Sequence, residues 1–142
     1  MQYKSNQQVV EKVAHHLGFQ FKKSQKRDRE THRNSCLYRG PNNTMCAAGC
    51  LIPDKLYKKE LEGVAINAFL NRYSTIYYNK NIDHIFKNID SDLLRFLQAI
   101  HDEYHPNQWR KKLEIASISY KLDTKKILKK FDQGRLDKKN KK

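Results

Sequence analysis

Residues 36–52 read CLYRGPNNTMCAAGCLI, and this stretch decides the predicted fold. Residues 36–39 have the composition of a strand. Residues 40–43 carry a strong turn signal, because proline presets φ at the second turn position and asparagine tolerates the third. An apolar run follows over 45–52. The pattern predicts a β-hairpin, which a short alternating strand at 19–21 can join.

Apolar residues recur at helical spacing on both sides of this hairpin, which predicts five or six helices. The first is expected over 7–17, with a cap at Ser5 or its neighbour and a stop at Gly18. Segment 22–33 is rich in lysine and arginine and lacks apolar spacing, so an exposed loop or a solvated helix is expected there. The predicted fold class is therefore α+β, mostly helical, with a small two- or three-stranded sheet around residues 19–52.

Later segments are also expected to be helical. Pro53 opens a helix that ends near Gly63. A helix over about 107–122 carries apolar residues on two nearly opposite sides, and burial of both sides inside the fold is favoured over contact with a partner. The length suits one basic domain, predicted over 1–133, followed by a disordered lysine-rich tail over 134–142.

The formal net charge of +14 resides in the two ends of the chain, while residues 36–105 are close to neutral. A positive field of this size favours anionic partners, which are nucleic acid, acidic protein surfaces or acidic lipid. The alternative is that the charge merely keeps the protein soluble. No apolar run is long enough to span a bilayer, so no membrane partner is expected. The candidate nucleic-acid or partner-binding residues are Lys22, Lys23, Lys26, Arg27, Arg29, Arg33, Arg39, Arg110, Lys111, Lys112, Lys121, Lys125, Lys126, Lys129 and Lys130.

One histidine and three cysteines follow the spacing His32-x3-Cys36-x9-Cys46-x3-Cys50. These residue types bind zinc, and the predicted hairpin can bring them together, so a zinc site at these four residues is one interpretation. The spacing is not that of a standard zinc finger, and three small buried thiols in a tight hairpin are the alternative. A nucleophilic cysteine is a third interpretation, which needs His32 or Arg39 beside a thiolate.

A further motif, HDEYH at 101–105, imitates the zinc-protease motif H-E-x-x-H. It has aspartate where that motif needs glutamate as the general base, and its last histidine precedes Pro106, where helical geometry fails. Histidines that pack at a helix end near Tyr104 are therefore favoured over metalloprotease chemistry.

The predicted location depends on the N-terminal sequence and on cysteine usage. The first eight residues are polar and lack the apolar stretch of a signal peptide, so the protein is expected in the cytoplasm. The odd number of cysteines fits reduced thiols better than a disulfide framework.

The segments CLYRGP and CAAGCLIPD within residues 36–54, followed by Glu62-Gly63, resemble a set of small uncharacterised proteins of phages and bacteria. The segment LQAIHD at 97–102 and the stretch from Trp109 to Ala116 are similar to the same set. The resemblance spans roughly residues 36–122. It carries over no catalytic role and implies a small accessory protein of phage type, expected in the host cytoplasm, where such proteins often bind host machinery.

The predicted function is therefore non-enzymatic: the protein binds nucleic acid, or a host complex that handles nucleic acid, and modulates or inhibits it. Two alternatives stay open. One is a small enzyme or anionic-ligand-binding domain that uses Arg39 and the cysteine–histidine cluster. The other is an inhibitor that docks on an acidic host protein surface.

Overall fold

The computed structural model describes residues 1–141. These residues contain six α-helices and one two-stranded antiparallel sheet, which confirms the predicted α+β, mostly helical class. Four short 3₁₀ turns lie between the sheet and the second helix. The elements in chain order are α1 (Asn6–Gln20), β1 (Gln25–Arg27), β2 (Asn34–Cys36), α2 (Ile66–Phe69), α3 (Lys80–Ile85), α4 (Ser91–Glu103), α5 (Pro106–Ser119) and α6 (Thr124–Asn140).

Helix α1 begins where predicted, because the Ser5 hydroxyl accepts a hydrogen bond from an amide of the first turn. It ends later than predicted, at Gln20, where Phe21 adopts the left-handed conformation. Gly18 does not stop the helix. It lies in the contact with α6, where a Cβ atom would clash with the carbonyl oxygen of Phe131. The glycine therefore allows the two helix backbones to approach closely.

The β-hairpin lies earlier in the chain than predicted. Strand β1 belongs to the segment 22–33, for which a loop or a solvated helix is the expectation, and Gln25 pairs with Cys36 in the antiparallel register. The Asp28 carboxylate holds the turn between the strands, because it accepts two backbone amides at 2.8 and 2.9 Å. This local contact of a side chain with the backbone forms the turn without any apolar alternation in the strands.

The stretches predicted to form the hairpin and the next helix are irregular instead. Residues 19–21 form the end of α1 and its cap, and most of the apolar side chains over 45–52 are buried in a loop that packs on α1. The expected helix over 53–63 is two short 3₁₀ turns. Residues 57–58 between them are extended, and Leu61 is buried just beyond.

Helix α6 is longer than predicted, so the expected disordered tail over 134–142 is wrong for the described residues. The helix continues to Asn140, and Gly134 is buried against α1, where a Cβ atom would clash with the carbonyl oxygen of His15. One turn later, His15 Nε2 lies 2.7 Å from a carboxylate oxygen of Asp137. The segment is ordered because it packs along α1 in spite of its low apolar content. The last residue of the chain lies outside the described residues.

Helix α5 has one buried side and one exposed side. Trp109 is fully buried in the hydrophobic core, and its indole N–H donates to the backbone oxygen of Tyr104 at 3.0 Å. On the other side, Ile115 and Ile118 are 41% and 64% exposed. The prediction that both apolar sides are buried is therefore wrong, because α1, α4 and α6 all pack on the side that carries Trp109.

Candidate nucleic-acid interface and cysteine cleft

Arg39, a predicted binding residue, uses its guanidinium within the fold. The group donates to the backbone oxygens of Gly49 at 2.6 Å and Ile52 at 2.7 Å, and to the Asp54 carboxylate at 3.0 Å. The guanidinium carbon also lies 4.9 Å from the ring centre of Tyr57. Because these partners occupy the donors of the planar fork, the geometry favours a structural role for Arg39 over capture of an anionic ligand.

Glu62 supports the same region through its carboxylate. It accepts the backbone amides of Tyr38 at 2.8 Å and Arg39 at 3.1 Å, and the hydroxyl of Tyr57 at 2.7 Å. The backbone also approaches closely here, since a Cβ atom at Gly49 would clash with the carbonyl oxygen of Tyr38. The residues that carry the sequence resemblance therefore hold one another in place.

His101 joins the hairpin to α4 and α5. Its Nε2 accepts a hydrogen bond from the backbone amide of Ser24 at 3.0 Å. Because that amide can only donate, Nδ1 carries the ring proton and donates it to Asp102 at 2.8 Å. The ring stacks on Trp109 with 5.6 Å between ring centres. His105 instead caps α5, so the two histidines of the HDEYH motif have separate structural roles.

Cys36 lies against the same aspartate, a pairing that the sequence does not reveal. The ligand atoms of Cys36, His101 and Asp102 all lie within 4.8 Å of one another, so this group could hold a metal ion. Within residues 1–141 it is the one such group of three or more side chains. His32 is exposed in the hairpin turn, and the other two cysteines lie outside the group. The four predicted zinc ligands are thus not brought together.

All three thiols are held in the protonated form. Burial raises the pKa of Cys36, Cys46 and Cys50 to about 12, and at Cys36 the hydrogen bond to Asp102 adds to the effect. Cys46 and Cys50 also make hydrogen bonds to nearby backbone groups. A thiol with this pKa is a poor nucleophile at neutral pH. The geometry therefore favours buried structural thiols over a catalytic cysteine.

A cleft of about 570 Å³ opens beside this group. We call it the cysteine cleft, because Cys36 and Cys46 line it together with Gln98 and Asp102. The Gln98 side chain donates to Asp102 at 2.6 Å and accepts the amide of Ala48 at 2.9 Å, so its amide is already engaged within the protein. The cleft thus has a group that could bind a metal, but its thiols are not activated as nucleophiles.

The first predicted basic cluster lies on the hairpin and at its base, and most of its members are exposed. Lys23 is the exception, because it is half-buried and its Nζ donates to the backbone oxygen of Asp102 at 2.8 Å. Lys23 therefore fastens the base of the hairpin to the end of α4. The exposed members are Lys22, Lys26, Arg27, Arg29 and Arg33.

The predicted basic residues on α5 have partners within the protein. Arg110 makes a forked ion pair with Asp132 at 2.8 and 2.9 Å, which lowers the pKa of Asp132. Lys111 pairs with Glu114 at 2.7 Å, and the Lys112 ammonium lies 4.2 Å from the centre of an aromatic ring. These three side chains are therefore less available to an external anion than unpaired cations.

The lysines at the beginning of α6 have no such partners. Lys125, Lys126, Lys129 and Lys130 are exposed and make no ion pair or side-chain hydrogen bond within residues 1–141. They occupy the first two turns, where the helix dipole favours acidic side chains, and their i,i+4 spacing places like charges together. Lys121, just before the helix, is exposed as well. This surface is therefore cationic without internal compensation.

A third set of basic residues lies in the segment 134–142, for which a disordered tail is the expectation, so these residues are absent from the predicted binding residues. The Arg135 guanidinium carbon lies 3.6 Å from the ring centre of Phe21. The ammonium groups of Lys138 and Lys141 lie 5.2 and 5.6 Å from the ring centre of Phe19. Since the hairpin begins just after Phe21, basic residues extend along α6 from its first turn to the base of the hairpin.

None of the helices formed by residues 1–141 combines the length and the apolar character that a membrane span requires. No protein-family model, curated protein or solved structure matches the chain.

Proposed function

We propose that the protein is a phage-type accessory protein that binds nucleic acid, or a host complex that handles nucleic acid, and modulates it without catalysis. The main support is the uncompensated cationic surface at the start of α6, formed by Lys125, Lys126, Lys129 and Lys130. The helix has 17 residues, or about 25 Å of length, and a nucleic-acid strand presents several phosphates over such a distance.

The hairpin supplies the second contact in this proposal. It is a two-stranded antiparallel ribbon with four exposed basic side chains on its strand and turn. A ribbon of this kind has a width that the major groove of DNA admits. Arg135 and Lys138, which lie against Phe21 and Phe19 just before the hairpin, add positive charge near its base. Phosphate contacts by such groups are independent of base sequence.

Reversal of charge tests the proposal directly. One variant carries glutamate at the exposed basic residues of the hairpin and of the start of α6. These are Lys22, Lys26, Arg27, Arg29, Arg33, Lys125, Lys126, Lys129 and Lys130. Circular dichroism checks that the variant retains its helices. Fluorescence anisotropy with a labelled DNA duplex and a labelled RNA is expected to show binding by the wild-type protein and none by the variant. The proposal fails if the wild-type protein binds neither probe at low salt, or if the variant binds as well as wild type.

Docking on an acidic host protein is the alternative, and nuclease treatment separates the two. A tagged copy is isolated from the native host with and without nuclease. Loss of the co-purified material after nuclease treatment supports nucleic acid as the direct ligand. Retention of one stoichiometric protein partner after nuclease treatment, with no binding of the purified protein to nucleic acid, favours the alternative.

A zinc ion at Cys36, His101 and Asp102 is a second proposal, supported by the mutual approach of their ligand atoms within 4.8 Å. Three protein ligands and one water would give the tetrahedral coordination that zinc prefers. Binding requires that the Cys36 thiol releases its proton to solvent and that the His101 proton moves from Nδ1 to Nε2. The hydrogen bond from the Ser24 amide to Nε2 then opens, because Nε2 becomes a donor.

Equilibrium dialysis of untagged protein against zinc tests this second proposal. One zinc per chain is expected, with loss of the metal in Cys36→Ser and retention in Cys50→Ser, since Cys50 lies outside the group. Failure of the wild-type protein to retain zinc, or equal loss in both variants, excludes the site.

A further inference from the structure

Two adjoining cavities form a groove between α1 and α6. Their volumes are about 360 and 570 Å³, and they are neighbours because Glu11 and Lys130 line both. We call this feature the α1/α6 groove. The helices run in the same direction along it, since Gln7 of α1 contacts Asp123 before α6, and His15 contacts Asp137. Close packing of backbone at the two buried glycines fixes the separation of the helices.

The charge of the groove is strongly positive. Lys126, Lys129 and Lys130 line it from α6, and Lys12 lines it from α1. Glu11 is the one carboxylate among the lining residues, and it accepts a hydrogen bond from the Gln7 side chain at 3.0 Å. Glu11 makes no ion pair with any lysine of the groove within residues 1–141. Three lysines on one wall thus face the groove with their charge uncompensated.

The remaining lining residues are polar as well, and none of them is an aliphatic residue, a phenylalanine, a tyrosine or a tryptophan. Such a lining offers no apolar anchor for a lipid bilayer, and its one aromatic side chain is His15, whose ring already stacks on Phe19. It suits an anionic, hydrated chain whose charges repeat along its length. The phosphodiester backbone of nucleic acid has this chemistry.

We propose that the α1/α6 groove is the site at which the protein holds the phosphodiester backbone of nucleic acid, independently of base sequence. This inference rests on the proposed function and narrows it, because it assigns the phosphate contacts to one groove rather than to the whole cationic surface. Each lysine that neutralises a phosphate of duplex DNA makes the negative slope of log K against log salt steeper by about 0.9. At 0.1 M salt this corresponds to about an eightfold gain in affinity.

The test uses two triple variants of the full chain with the same change in net charge. The groove variant carries Lys126→Gln, Lys129→Gln and Lys130→Gln. The matched control carries Lys55→Gln, Lys58→Gln and Lys59→Gln, which are exposed lysines outside the groove. Binding to a fluorescein-labelled DNA duplex is measured by anisotropy between about 50 and 200 mM salt. Vesicles that contain phosphatidylserine serve as the second probe.

For the groove variant, the slope of log K against log salt is expected to be shallower by about 2.7, and the affinity at 0.1 M salt about 500-fold lower. The slope and the affinity of the control are expected to stay close to those of wild type. The inference is overturned if both variants weaken equally, because only net charge then matters, or if the groove variant binds like wild type. It is also overturned if vesicles bind with the same dependence on the three lysines. Absence of DNA binding by the wild-type protein would instead overturn the proposed function itself, so the two failures are distinguishable.

Discussion

Replacement of Arg39 by alanine is expected to destabilise the fold strongly. The substitution removes the charged donor from the backbone oxygens of Gly49 and Ile52, which lie 2.6 and 2.7 Å from the guanidinium. A hydrogen bond from a charged group contributes about 1.5–3 kcal/mol, so loss of the two bonds is expected to cost about 3–6 kcal/mol. The exposed ion pair with Asp54 adds little. At about 4 °C per kcal/mol for a chain of this size, Tm falls by about 12–24 °C.

Thermal unfolding followed by circular dichroism measures this effect, and Asp54→Asn is the matched control. Asp54 is 98% exposed, so its replacement is expected to lower Tm by less than about 4 °C. Arg39→Lys keeps the charge but not the planar fork, and it should fall between wild type and alanine. If Arg39→Ala melts within about 2 °C of wild type, the structural role is refuted, and a ligand-binding role for Arg39 gains support.

The buried thiols, the contact between α1 and α6, and the ion pair of Arg110 with Asp132 each have a measurable consequence. The three thiols are expected to react with iodoacetamide about a thousandfold more slowly than a free thiol at neutral pH, because a rise in pKa from 9.0 to about 12 depletes the thiolate. Labelling at the rate of a model thiol would contradict this expectation. Gly134→Ala is expected to lower the free energy of unfolding by about 1–3 kcal/mol, since the added methyl group meets the carbonyl oxygen of His15; an unchanged midpoint in urea argues against the close packing of the helices. The ion pair with Arg110 lowers the pKa of Asp132. The stabilisation by this pair is therefore present above the ordinary pKa of 3.8 and is lost as pH falls through the lowered value. The urea midpoint of Asp132→Asn should vary less with pH in the acid range than the midpoint of wild type.

Helical periodicity and caps predicted the elements with strong local signals. Ser5 caps α1 as expected, and Pro106 separates α4 from α5. The position of the hairpin could not be predicted from apolar alternation, because the Asp28 side chain holds its turn and its short strands are polar. The length of α6 could not be predicted because residues 134–142 are highly charged, and the contact of Gly134 with α1 is revealed only by the tertiary structure.

The candidate sites were predictable only in part. The basic clusters are visible in composition, yet the sequence does not reveal which cations are already paired, as Arg110 is with Asp132. The cysteine segment is distinctive in sequence, but the partners of Cys36 come from α4, far away in the chain. Long-range pairing of this kind leaves no local pattern. Of the four predicted zinc ligands, only Cys36 belongs to the group that could hold a metal ion.

The salt dependence of nucleic-acid binding by the wild-type protein tests the central claim most directly. If the basic surface of α6 and the hairpin neutralise about six phosphates or more, the association constant for a DNA duplex should fall by about 10³ or more between 50 and 200 mM salt. Log K should then decrease linearly with log salt, with a slope steeper than about −5. A slope near zero, or no binding at 50 mM salt, would contradict the claim that this protein binds nucleic acid through its cationic surface.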